Sequence, residues 1–159
     1  MMQAVRGTEL TSDRFFSRRV KRLVVVSAVA LGVILALGVA DEAPTWALAS
    51  IATGWVVMPL LLWMSLRRPR RRYLLVIPAT CVSLGLLAIT ASSPAATRTG
   101  WLLITAGILI GGTMGMWFWF RWAPVPRSLD DPFGWGRMTL IAVHIALILA
   151  GISLVVSNL

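Results

Sequence analysis

"MTLIAVHIALILAGISLVVS", residues 138–157, runs for twenty positions without an Asp, Glu, Lys or Arg. At 1.5 Å per residue, a helix of that length reaches about 30 Å, the thickness of a bilayer's hydrocarbon core. Working outward, three further stretches are equally bare of charge: Thr45–Leu66, Tyr73–Ala91 and Trp101–Phe120. Leu23–Ala40 is a slightly shorter fifth. Apolar residues make up 58% of the 159-residue chain and charged residues only 13%, against roughly 45–50% and 25% in soluble domains. The pattern predicts an all-α, polytopic integral membrane bundle of about five helices (spans 23–40, 45–66, 73–91, 101–120 and 138–157) with no soluble domain.

Charge orients the bundle, because Lys and Arg collect in cytoplasmic loops. The basic N-terminal segment 1–22 carries Arg6, Arg14, Arg18, Arg19, Lys21 and Arg22. The loop after the second span holds Arg67, Arg68, Arg70, Arg71 and Arg72, and the connection 121–137 holds Arg121, Arg127 and Arg137. With the N-terminus cytoplasmic and the C-terminus external, 14 of the 15 basic residues lie inside and only Arg98 lies outside. Asp41 and Glu42 fall in the first external turn. Trp46 and Trp101 are expected at outer headgroup level and Trp63, Tyr73 and Trp117 at the inner one, where amphipathic rings gather. The bias of 14 Arg to one Lys, with abundant Ala, Val, Gly and Leu, matches a GC-rich bacterium and a plasma-membrane location. Leu23–Leu37 followed by Gly38-Val39-Ala40 has the layout of a secretory leader. The long stretch ahead of it and the next span at Thr45 favour retention of residues 1–40; cleavage would leave four spans.

Little in the spans carries chemistry. They contain no carboxylate, Lys or Arg, which argues against a carboxylate-based pump built from this chain alone. Of His, Asp, Glu, Lys and Arg, the spans hold only His144, read as hydrogen-bonded to a neighbouring helix, with haem or metal ligation the sharper alternative. The single cysteine, Cys81, excludes an internal disulfide. No metal site or cofactor is expected. Phosphate-loop, HExxH, CxxC and nucleophile-elbow patterns are missing at any plausible place, so nothing points to catalysis. Pro59 interrupts the second span and reads as a helix kink.

Contact surfaces are better marked. Lipid tails solvate apolar side chains well, so membrane helices associate through small residues that let backbones approach. Gly107, Gly111 and Gly115 form such a ridge, Ala28, Gly32 and Ala36 a second, and Ala142, Ala146 and Ala150 a third. The connection 121–137 is rich in Pro and Gly, which rules out a continuous helix there. With the end of the fourth span it supplies Trp117, Trp119, Arg121, Trp122, Arg127, Asp130, Asp131 and Trp135, the candidate contact with a partner or a headgroup. The arginine run 67–72 is topogenic and a candidate site for anionic lipid headgroups; a short loop between two spans is no nucleic-acid site. The leading expectation is a non-catalytic accessory or scaffold subunit that packs with other membrane subunits or with itself. A small transporter or channel component is the alternative, and a lipid-acting enzyme using Asp130, Asp131 and His144 is a third.

Overall fold

The computed structural model describes residues 25–67, 73–114 and 132–159. Described residues are helical apart from short turns, with no strand among them. Five helices follow one another: α1 (Val25–Ala40), α2 (Thr45–Arg67), α3 (Val76–Ser92), α4 (Ala95–Ile108) and α5 (Pro132–Val156). A 3₁₀ turn over 73–75 leads into α3, and α4 runs directly into a π turn, Leu109–Met114. The chain divides into two compact units, Met1–Ala36 and Leu37–Leu159.

Proline and backbone chemistry set the helix starts. Pro44 directly precedes α2, Pro94 caps α4 and Pro132 is the first residue of α5; the missing N–H costs nothing where it has no intrahelical partner. That last start revises the sequence expectation for 121–137, because residues 132–137 are helical. Gly134 and Gly136 weaken a helix by about 1 kcal/mol each, which the apolar run behind them outweighs. Pro59 lies inside α2 without ending it.

The end of α1 is a Schellman motif. Ala43 N–H bonds the Gly38 carbonyl at 2.8 Å and Glu42 N–H bonds Val39 at 3.2 Å. The motif needs a left-handed residue between them, and Glu42 takes it with φ 56°. Glycine usually fills this position, since a side chain there costs roughly 1 kcal/mol.

In the second unit, α2 packs on α3 and α4 on α5, with a lighter α3–α4 contact. Glycine makes the first pair close: a Cβ on Gly54 would stand 2.7 Å from the Pro78 carbonyl oxygen, and one on Gly85 2.7 Å from that of Ala47. The Ser50 hydroxyl donates to the Cys81 carbonyl at 2.8 Å across the same interface. Two helical stretches are long and apolar enough to cross a membrane, Tyr73–Ser92 with 20 residues and Met138–Val156 with 19. Their burial differs: 39% of the first is inside the chain but only 11% of the second. Ile141, Val143, Ile145, Leu149 and Leu154 of α5 all face outward.

Candidate functional site

Two polar constellations stand out in this apolar frame. One gathers on Asp41, in the turn between α1 and α2. Its carboxylate is buried and accepts three hydrogen bonds: from Ser93 Oγ at 2.7 Å, Thr97 Oγ1 at 2.8 Å and Trp101 Nε1 at 2.8 Å. The donors are four residues apart, which places Thr97 and Trp101 on one face of α4 and Ser93 in line with them at the α3–α4 corner. Arg98 closes the corner by donating to the Ser93 carbonyl at 3.0 Å. A turn deeper, the hydroxyls of Thr90 and Thr105 meet at 3.1 Å, both buried.

The sequence reading places Asp41 in the first turn, where the structure also has it, and Trp101 at a span end; what the structure adds is that both side chains are buried against each other. Trp101 is fully buried, its ring packed inside and its N–H spent on Asp41. A carboxylate excluded from water is costly unless hydrogen-bonded, and these three donors meet that need. The signal lay in the spacing of Ser93, Thr97 and Trp101 opposite a lone acidic residue at a helix end.

The second constellation is on the α4–α5 interface, where the glycine ridge lies. Gly107 sits under Ile148 and the His144 carbonyl, and a Cβ on Gly111 would overlap the His144 imidazole itself. Gly100 extends the ridge: its Cβ would stand 2.7 Å from Val155 Cγ2 and 2.8 Å from the Gly151 carbonyl oxygen. On α5 the facing residues are therefore His144, Ile148, Gly151 and Val155. Ala142, Ala146 and Ala150, the small-residue ridge of the sequence, are exposed. His144 is half-buried, and its Nδ1 lies 2.6 Å from the Gly107 carbonyl. A carbonyl only accepts, so Nδ1 carries the proton in this bond.

Ala28, Gly32 and Ala36 are exposed, and a Cβ on Gly32 would meet nothing within 4 Å. Gly115, Arg68 and Arg70–Arg72 lie outside the described residues, as do Trp117, Trp119, Arg121, Trp122, Arg127, Asp130 and Asp131. Arg67 ends α2 and Trp135 lies in the first turn of α5. Among the described residues no three His, Cys, Asp or Glu side chains converge in a way that could hold a metal ion. Buried side-chain polar atoms all have partners there.

These features define a class no finer than an all-α chain with two membrane-length apolar helices and internally paired polar groups. No family model, curated protein or solved structure matches it.

Proposed function

We propose that the chain is a five-span protein of the bacterial plasma membrane, N-terminus inside, serving as a non-catalytic accessory or scaffold subunit. The observation that carries the reading is the contrast within α5. Its 19-residue apolar stretch is 11% buried, far more apolar surface than a soluble monomer leaves to water. Lipid or another apolar helix is the environment such a surface requires. Tyr73 and Trp46, both exposed, suit the headgroup level that aromatic rings favour.

The polar groups support the same reading. Asp41, Ser93, Thr97 and Trp101 bond one another, and His144 bonds a helix carbonyl. Groups paired in this way hold helices together. The open Ala28–Gly32–Ala36 ridge and the segment from Trp117 to Trp135 are the surfaces assigned to partners, with anionic lipid at Arg67–Arg72.

The test is affinity purification of the tagged full chain in mild detergent, followed by identification of what comes with it. Defined membrane partners are expected, and they should be lost when 121–137 is replaced by a neutral linker of equal length. A chain that purifies alone and supports ion or solute flux in liposomes would overturn the reading in favour of a transporter.

A further inference from the structure

The α4–α5 seam pairs its residues by size. Gly100 lies against Val155, Ile104 against Gly151, Gly107 against Ile148 and Gly111 against the His144 ring. The levels step by four, three and four residues along α4 and its π turn, and by the same steps in reverse along α5. That interval keeps one helical face turned to another. Each level sets a glycine opposite a larger side chain, and the contact is close: a Cβ on Gly151 would stand 2.6 Å from the Gly100 carbonyl oxygen and 2.7 Å from Ile104 Cγ1. Three levels have their glycine on the α4 side. At the second level the order is inverted, with the large residue, Ile104, on α4 and the glycine, Gly151, on α5.

The inversion matters because a seam with every glycine on one helix has no fixed register. Its apolar side chains would fit each glycine gap in turn, and in lipid a slid helix exposes nothing that hydrocarbon rejects. The His144 bond to the Gly107 carbonyl does not choose between registers by itself. One level along, Gly107 offers the ring a gap without a side chain and Leu103 offers a carbonyl at the same offset. With Ile104 and Gly151 on the opposite helices, sliding is no longer free. Moving α5 by one level in one direction sets Ile104 against Ile148 and Gly100 against Gly151. Moving it the other way sets Ile104 against Val155 and Gly107 against Gly151. In either case one level is overfilled and another has two glycines facing, and both faults destabilise a close-packed contact. We propose that the inverted Ile104–Gly151 pair is the register key of the α4–α5 seam and holds α5 at a single height against α4. The inference goes beyond the accessory-subunit reading and stands without it.

The test exchanges the key within the full chain. Ile104→Gly combined with Gly151→Ile keeps a large residue opposite every glycine, so complementarity survives while the inversion is gone. Spin labels at Leu102 and Ile141, both exposed and away from the seam, report the height of α5 in a Cys81→Ser background that removes the only cysteine. The unsubstituted seam should give one distance population. The exchanged seam should give a second population displaced by about 5 Å, the rise of one helical turn. A single unchanged distance in the exchanged protein overturns the key, because packing would then fix the register without it. More than one population in the unsubstituted seam overturns it as well, and that measurement needs no change at Ile104 or Gly151. If the exchanged protein does not fold, Ile104→Ala with Gly151→Ala also abolishes the inversion and is read by the same two outcomes.

Discussion

Removing the Asp41 carboxylate should unlock the corner where the turn before α2 meets α3 and α4. In Asp41→Ala the three donors lose their shared acceptor, but not equally. Ser93 Oγ keeps a bond to the Ile89 carbonyl at 2.8 Å, and Thr97 Oγ1 can turn to Pro94 at 3.4 Å. The Trp101 indole N–H is fully buried and makes no second bond among the described residues. An orphaned buried donor costs about 1–3 kcal/mol, and two weakened hydroxyl bonds add roughly 0.5 kcal/mol each. Asp41→Ala should therefore destabilise the protein by about 2–4 kcal/mol. Trp101→Phe removes the donor and some ring volume, for about 2–3 kcal/mol by comparison with other core truncations. The double variant is the sharper test, because neither partner is then left behind. A coupling energy of about 1–2 kcal/mol is expected, near the upper end of interhelical hydrogen bonds measured in membranes because the acceptor is a carboxylate. Unfolding of the four proteins in mixed micelles, followed by circular dichroism, gives that number. Additivity within about 0.3 kcal/mol would refute the claim that the Asp41–Trp101 bond holds this corner.

Glycines on the two kinds of ridge should answer alanine substitution in opposite ways. Gly100→Ala forces its methyl group to within 2.9 Å of the α5 backbone and should cost about 1–3 kcal/mol in the same unfolding assay. Gly32→Ala meets nothing within 4 Å and should be neutral or stabilising by up to about 1 kcal/mol. Glu42→Gly relieves the left-handed residue at the end of α1, where φ is 56°, and should stabilise by about 1 kcal/mol; a loss of stability would show that the Glu42 side chain has a role of its own.

The helical class could be read from the sequence because long charge-free runs allow few other structures. Of the expected glycine ridge, Gly107 and Gly111 lie against α5, where an added Cβ would meet Ile148 and the His144 ring. The partner of the ridge could not be read from the sequence. Small residues mark a face able to approach closely without saying what it approaches, and on α5 the alanines at 142, 146 and 150 pointed to a face different from the one that Gly151 and His144 use. Asp41 stayed hidden for another reason. Loop charges are normally solvated, and the burial of this one depends on a corner formed more than fifty residues later in the chain. Trp101 misled through its position near a span end, where solvent-facing and inward-facing indoles look alike in sequence.

Both constellations meet on α4, and its periodicity explains how. Thr97, Trp101 and Thr105 repeat every four residues on the face toward Asp41 and Thr90; Gly100, Gly107 and Gly111 lie on the face toward α5. The first face is fixed by hydrogen bonds between groups that lipid would not solvate, the second by backbone proximity that only glycine permits. A helix held on two sides in these ways has little freedom to rotate as a whole. That double hold ends near Ile108, the last α-helical residue, where the π turn begins with the His144 ring seated against Gly111.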